Sequence, residues 1–207
     1  MAKPPLTDMP QGDPFTLVTA ETVYKNDWIS VEHQKIIRPD GNPGIYGIVR
    51  FANLAVAVLP IEPNGDVWLV GQWRRPLGRW SWEIPEGGVP FCEDPRAGAL
   101  RELQEETGLI AGTLVKILEF DLSNSVSDEQ GCAYLAYDLW HGEMAPDPTE
   151  VLSLRRLHFT DLLDEIDVGT IRDAPTLVTV LRAHQLALTG KLPSALSRAM
   201  LVRHSGT

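Results

Sequence analysis

The 207-residue chain is poor in cysteine and in positive charge. Its two cysteines, Cys92 and Cys132, show no CxxC spacing. That excludes a disulfide framework and a paired-thiolate zinc site, and both read as reduced thiols. The five histidines form no HExxH or comparable pair, so a histidine metal centre is not indicated. Lysine and arginine number 18 against 28 aspartates and glutamates, a formal net charge of −10. A broad nucleic-acid contact surface is therefore not expected. Long apolar runs are also missing: "FANLAVAVLPI" is too short to span a bilayer. The segment "MAKPPLTDMPQGDP" has no apolar h-region, so no signal peptide is expected and the cytoplasm is the expected compartment. No internal repeat is visible. An acidic chain that handles anionic substrates needs local cations, from metal ions or placed arginines.

What is present reads first as β-structure. "FTLVTAETVY" and "WISVEHQKII" are rich in β-branched and aromatic residues and are interrupted by "KND". "PDGNPG" is a turn cluster, and "IYGIVRF" and "LAVAVLPI" follow as strands. The last of these is apolar throughout, as a strand buried on both faces should be. Asn64-Gly65 marks a tight turn into "DVWLVGQW". "LVKILEFDL", "CAYLAYDLW" and "EVLSLRRLHF" read as later strands, the first two separated by the polar loop "SNSVSDEQG". Thr160 is the expected cap of a helix over "DLLDEIDV", and Asp173 that of a final helix ending near Gly190. Residues 1–14, rich in proline and polar residues, are expected to be loose, and residues 191–207 to form a C-terminal tail. Few helices, with one inserted between strands, indicate a mixed α/β or α+β chain.

The clearest helix covers residues 95–107. Asp94 suits the N-cap, Pro95 the first helical position and Gly108 the C′ position. At 100° per residue, Glu105 lies about −60° and Glu106 about +40° from Glu102, while Leu100, Leu103 and Thr107 gather between about 100° and 160°. Three carboxylates thus share one arc, where like charges repel. Two of them also sit near the helix C-terminus, against the dipole. An ordinary solvated acidic face would tolerate this; a hard divalent cation would relieve it, and carboxylates with main-chain carbonyls are the donors Mg²⁺ or Mn²⁺ prefer. Arg101 lies off the arc and can reach back to Glu93 in the preceding loop.

The stretch "GGVPFCEDPRAGALRELQEETGL" resembles the Nudix box: Gly87, five residues, Glu93, seven residues, then Arg101, Glu102, Leu103, Glu105, Glu106, Gly108 and Leu109. Every fixed position is filled. The resemblance implies a hydrolase of nucleoside diphosphates linked to another moiety, on an α/β/α sandwich. It implies that Glu102 and Glu106 are core metal ligands and that Glu105 is a further ligand or a base. A metal-binding carbonyl is expected at Glu86, and Gly87, Glu93, Arg101 and Gly108 are expected to be structural.

Outside the box, the chain from about residue 16 to 189 looks like the ADP-ribose pyrophosphatase and nucleoside-diphosphate-sugar hydrolase branch. The similar features are "RPDGNPGIYGIV", the Gln72-Trp73-Arg74 triplet, "WSWEIPEGG" and the post-box loop with Glu129. The resemblance implies a β extension over residues 15–50 that serves dimerisation and substrate binding, a hydrolase domain over 51–190, and a homodimer. Glu129 is the expected general base, with Glu105 the next candidate. Arg74, Arg79, Glu83 and Trp28 are expected substrate contacts, the arginines because their forks suit phosphate oxygens. The chain departs from the branch in carrying Glu86-Gly87-Gly88 where Ala-Gly is common, and "NSVS" where Pro-Gly is common.

The expected substrate is a small nucleoside-diphosphate sugar such as ADP-ribose, with Mg²⁺ or Mn²⁺ as cofactor and neither a nucleic acid nor a membrane as partner. A nucleoside-triphosphate sanitiser, a dinucleotide hydrolase and a non-catalytic nucleotide-sensing module are the rivals. The sensing module is disfavoured by the full set of box glutamates. An inositol-polyphosphate hydrolase would want a basic groove, which a chain of this charge does not offer.

Overall fold

The computed structural model describes residues 12–144 and 151–202. Of the segments expected to be loose, residues 1–11 and 203–207 lie outside the described residues. The chain divides into two compact units: residues up to Ala52 with Ser123–Asp128, and Asn53–Leu122 with the residues from Glu129 onward.

The first unit is an antiparallel sheet of β1 (Thr16–Lys25), β2 (Ile29–Ile37) and β3 (Pro43–Phe51). The β1–β2 turn is closed by Asn26, whose Oδ1 accepts from the amides of Trp28 and Ile29 at 2.9 and 2.8 Å. This is local side-chain chemistry that competes with strand pairing and ends it. In the β2–β3 turn, Asp40 accepts from the Asn42 amide, and Gly41 takes the left-handed φ of 81°. Residues 123–128 join this unit through β3: Val49 N donates to Val126 O at 2.8 Å, and Phe51 N to Asp128 Oδ1 at 2.9 Å. The loop "SNSVSDEQG" is thereby divided, because Glu129 belongs to the second unit.

The second unit holds β4 (Asn53–Pro60), β5 (Asp66–Arg74), a 3-10 turn (Arg75–Leu77), β6 (Arg79–Glu83), β7 (Glu86–Pro90), α1 (Pro95–Thr107), β8 (Leu109–Asp121), β9 (Gln130–His141), β10 (Ser153–His158), α2 (Phe159–Asp167), α3 (Ala174–Leu188) and α4 (Ser194–Leu201). The strands form two sheets, β10-β5-β6 and β7-β4-β9-β8, and the β4–β9 pair is parallel within an otherwise antiparallel set. β4 is buried on both faces, as its apolar run predicts. Val56 and Val58 pack with Ala99 and Leu103 of α1, and Ala57 and Leu59 with Phe159 and Val180. Helices therefore cover both faces, giving the mixed α/β, α/β/α arrangement. Among the described residues, no helix is long and apolar enough to cross a membrane.

Several local expectations change. "RWSWE" and "EGGVP" are strands, β6 and β7, joined by a short crossing from one sheet to the other at Ile84-Pro85. The cap of α2 is His158, not Thr160: His158 Nδ1 accepts from the Thr160 amide, so the threonine lies inside the helix. The C-terminal tail contains α4, whose Leu196, Ala199 and Met200 are buried. A Cβ at Gly65 would stand 2.0 Å from Ala199 O, which shows how closely α4 approaches the turn between β4 and β5. Helix α1 matches its expected bounds. Asp94 Oδ1 accepts from Arg96 N at 3.0 Å, and Gly108 closes the helix at φ 70°.

Candidate active site

Helix α1 and the crossing between β6 and β7 bring the candidate residues together. The buried side of α1 comprises Gly98, Ala99, Leu103, Glu106 and Thr107. The carboxylate arc and the core face therefore overlap at Glu106, which is 3% exposed. A buried carboxylate must be hydrogen-bonded or paired. Glu106 Oε2 accepts the main-chain amide of Glu86 at 3.0 Å. Glu102 lies one turn earlier and is pressed onto Gly87: a Cβ at Gly87 would stand 2.3 Å from the Glu102 carboxyl carbon. Glycine at this box position leaves room for a carboxylate directly above the backbone. Gly98 serves the other side of the same contact, since a Cβ there would stand 2.2 Å from Cγ2 of Val89 in β7.

Arg101 reaches further over the acidic face than its angular position implied. Its Nη1 lies 2.8 Å from Glu102 Oε1 and 3.4 Å from Glu105 Oε2, and its Nη2 lies 3.5 Å from Glu93 Oε2. A long arginine stem allows the guanidinium to swing back along the helix. Burial opposes the charge on Arg101, but the Glu102 and Glu93 carboxylates prevail and hold it more firmly protonated than usual. Part of the repulsion among the helix carboxylates is thus met by Arg101. Glu105 remains 38% exposed at the rim.

A second acidic group surrounds Arg74. Carboxylate oxygens of Glu83, Glu86 and Asp173 all lie within 4.8 Å of one another. Arg74 Nη2 stands 2.6 Å from Glu83 Oε2 and 2.5 Å from Glu86 Oε1, and its Nε is 3.0 Å from both Glu83 oxygens. Glu83 is 2% exposed and turned onto this fork. Burial pushes the Glu86 carboxyl well above the usual carboxylate range, and Asp173 and Glu83 push it further, against the pull of Arg74. Burial likewise raises Asp173, against its hydrogen bonds from Thr176. Asp173 escaped the sequence reading because its pattern, Asp followed by Ala-Pro, signals a helix cap. It is that too: its Oδ2 accepts from Thr176 N at 2.8 Å.

The remaining candidates stand elsewhere. Arg79 is the cross-strand partner of Arg74 and is half-buried. Trp28, in the first unit, is 67% exposed. Glu129 immediately precedes β9, and its carbonyl accepts from Leu122 N at 2.9 Å. The strand register aligns Glu86 with Ala57 and Ala57 with Ala133. Glu129 is four residues before Ala133, roughly 13 Å along the strand. Burial raises its carboxyl above the ordinary value.

These donors suit a hard divalent cation. They are carboxylate oxygens, those of Glu102 and Glu106 held against the start of β7, and Glu86 Oε2 is buried with no hydrogen-bond partner. The group around Glu83, Glu86 and Asp173 could also hold a cation, although Arg74 already brings a positive charge to two of its members.

A complete box helix, with Glu102 and Glu106 set against the start of β7, and helices on both faces of a mixed sheet make up the frame of the site. A model of the NUDIX domain matches residues 52–177, and a model of the nucleoside diphosphate sugar hydrolase N-terminal domain matches residues 15–49. The chain belongs to the Nudix family and is a Nudix hydrolase, an enzyme class that works with divalent metal. It is 31% identical over 165 residues to the ADP-ribose pyrophosphatase of Bacillus subtilis (strain 168), covering 79% of this chain and 89% of that protein. It is 32% identical over 165 residues, with the same coverage, to the methanol dehydrogenase activator of Bacillus methanolicus. A crystal structure of an ADP compounds hydrolase superposes with a TM-score of 0.78 at 19% identity, covering 89% of this chain and all of that one, a likeness of fold.

Proposed function

We propose that this enzyme hydrolyses the diphosphate bond of ADP-ribose or a related nucleoside-diphosphate sugar, releasing a nucleoside monophosphate and a sugar phosphate. The observation that carries the reading is the convergence of Glu102 and Glu106 on Glu86 and Gly87 at the start of β7. The match of residues 15–49 to the sugar-hydrolase N-terminal domain, and the name of the Bacillus subtilis relative, support the substrate class.

Glu102 and Glu106, with Glu105 and the Glu86 carbonyl, would hold Mg²⁺ or Mn²⁺. When bound, such an ion neutralises charge on the diphosphate oxygens and favours in-line displacement by water. The Glu86 amide orients Glu106, and Gly87 leaves Glu102 its place. Glu129, roughly 13 Å along the strand from the Glu86 register, accepts the proton of the attacking water when its loop closes over the site, and Glu105 is the alternative acceptor. Arg74 and Arg79 face the diphosphate charge, Glu83 braces Arg74, and Trp28 stacks on the base. Glu93 and Arg101 hold the loop to the helix, and Gly108 ends it. The exposed apolar residues of β1 and β3, including Leu17, Val23 and Ile45, fit a homodimer contact through the 15–50 extension. The hydrolase domain would span 51–190, in the cytoplasm.

The test is a substrate panel with Mg²⁺ or Mn²⁺: ADP-ribose, ADP-glucose, GDP-mannose, dinucleotides and nucleoside triphosphates, following released phosphomonoester. Turnover of ADP-ribose or another sugar diphosphate above the rest supports the reading. Preference for triphosphates, or no turnover of any of them, defeats it.

A further inference from the structure

We infer that Thr176, at the N-terminus of α3, is a positioning residue for the metal-binding carboxylate Glu106. The inference rests on the reading of Glu106 as a metal ligand. Where the chain crosses between sheets, pairing of β6 ends at Glu83, opposite Val70, and pairing of β7 begins at Glu86, opposite Ala57. The amide of Ile84 lies in the gap with no strand partner, and Ile84 is fully buried. A buried amide must find an acceptor. Thr176 supplies it: its Oγ1 accepts from Ile84 N at 3.0 Å. The threonine is itself 0% exposed. Its main-chain amide donates to Asp173 Oδ2 at 2.8 Å, which fixes the residue at the start of α3.

Two residues further on, the Glu86 amide donates to Glu106 Oε2. Between them, the Pro85 carbonyl accepts from Val58 N at 2.8 Å, tying the crossing to β4. The crossing is thus held from three sides: by α3 through Thr176, by β4 through Pro85 and by α1 through Glu106. Of these holds, Thr176 alone is a side chain from outside the box, and its own amide also caps onto Asp173. Removing its hydroxyl frees Ile84 N from its acceptor and lets the 84–86 segment shift. The Glu86 amide, and with it the carboxylate of Glu106, loses its fixed place. Partners that orient metal ligands in this way typically change metal affinity by about 10–100-fold.

The test measures binding of Mn²⁺ alone to the full chain, by electron paramagnetic resonance or calorimetry, alongside steady-state kinetics. Thr176→Val keeps the volume and deletes the hydroxyl; it should weaken Mn²⁺ binding about tenfold or more and lower kcat more than it changes KM. Thr176→Ser restores the hydroxyl and should bring Mn²⁺ affinity back to within about twofold of wild type. A folded Thr176→Val protein that binds Mn²⁺ as wild type overturns the inference, as does a Thr176→Ser protein as weak as Thr176→Val. Should Thr176→Val not fold, Thr176→Cys, with its weaker acceptor, carries the comparison: intermediate affinity supports the inference and unchanged affinity overturns it. Glu106→Gln separates the two levels. If it binds Mn²⁺ normally, the reading of Glu106 itself fails; if it loses Mn²⁺ while Thr176→Val does not, only the role of Thr176 fails.

Discussion

Arg74 is clasped by Glu83: both Glu83 oxygens lie 3.0 Å from Nε, and one lies 2.6 Å from Nη2. Glu83 is 2% exposed, so the pair has a buried member that depends on the other. Truncating Arg74 to alanine leaves that carboxylate buried and unpaired. Loss of a fully buried partner costs about 3–5 kcal/mol. Arg74 retains 35% exposure, so water screens part of the interaction and about 2–3 kcal/mol is expected in urea denaturation. Arg74→Lys keeps the charge without the planar fork and should fall between the two.

Glu106→Gln tests the carboxylate helix. Glutamine keeps an oxygen that can accept the Glu86 amide, so the fold and its melting temperature should stay near wild type. Charge at the metal position is lost, and turnover with Mg²⁺ should fall by three orders of magnitude or more, on the order of an electrostatic clamp's contribution. Chelation with EDTA should abolish wild-type activity, and added Mg²⁺ or Mn²⁺ should restore it. A Glu106→Gln protein that retains near wild-type turnover would falsify the ligand assignment.

Glu86 makes the metal-free protein's stability depend on pH. Burial, with Asp173 and Glu83, lifts its folded-state carboxyl above the unfolded value of 4.5. A group raised on folding contributes stability that is present below 4.5 and is lost as pH rises through its folded value. With EDTA present, Glu86→Gln should melt higher than wild type at about pH 7.5, by a few degrees. The gap should close as pH approaches 4.5. Thermal melts of both proteins across that range read it directly; a gap that widens on acidification contradicts the assignment.

The box was legible because its signals are local. Caps, glycine positions and the angular spacing of Glu102, Glu105 and Glu106 all concern one helix, and α1 has the expected bounds. The apolar run of β4 was legible for the same reason. What could not be read depends on chain segments far apart in sequence. Asp173 and Thr176 meet the Glu83–Glu86 crossing only through the fold, and nothing near residue 173 signals it. Strands β6 and β7 were hidden by "WSWEIPEGG", whose glycines and proline resemble a loop. His158 displaced Thr160 as a cap because a histidine ring nitrogen can accept an amide, a role sequence preferences assign to hydroxyls and carboxylates. The deeper seat of Glu106 came from helix α1 lying tight on β7, which Gly98 permits.

Glu129 and Glu105 make different predictions as the base. Burial lifts the Glu129 carboxyl above 4.5, and a base works only when deprotonated. If Glu129 is the base, kcat/KM should fall on acidification with a midpoint above that value. Glu129→Gln should lower kcat by about 10²–10⁴ and remove this acid limb. Glu105→Gln should leave the limb in place. A pH–rate profile on the three proteins decides it, and an acid limb that disappears in Glu105→Gln but persists in Glu129→Gln transfers the role to Glu105.

Gly87→Ala separates metal placement from folding. The backbone of Gly87 lies in β7, without the left-handed φ that would strain alanine, so the conformation itself accepts a side chain. The obstacle is the Glu102 carboxyl, 2.3 Å from the position a Cβ would take. That carboxyl is the far end of a flexible chain, 14% exposed, and can rotate toward Arg101, its partner at 2.8 Å. The contrast is Gly98, where a Cβ would meet the buried Val89 at 2.2 Å and nothing can move away. Alanine there gains about 1 kcal/mol of helix propensity against about 1–3 kcal/mol of overpacking. Gly98→Ala should therefore lower stability, as read by denaturation, with metal binding following the fold. Gly87→Ala should keep its melting temperature within a few degrees while Mn²⁺ affinity and turnover fall about tenfold or more, because a ligand misplaced by an ångström loses most of its value. Equal Mn²⁺ affinity in Gly87→Ala and wild type would mean that Glu102 does not need its place above the glycine to bind metal.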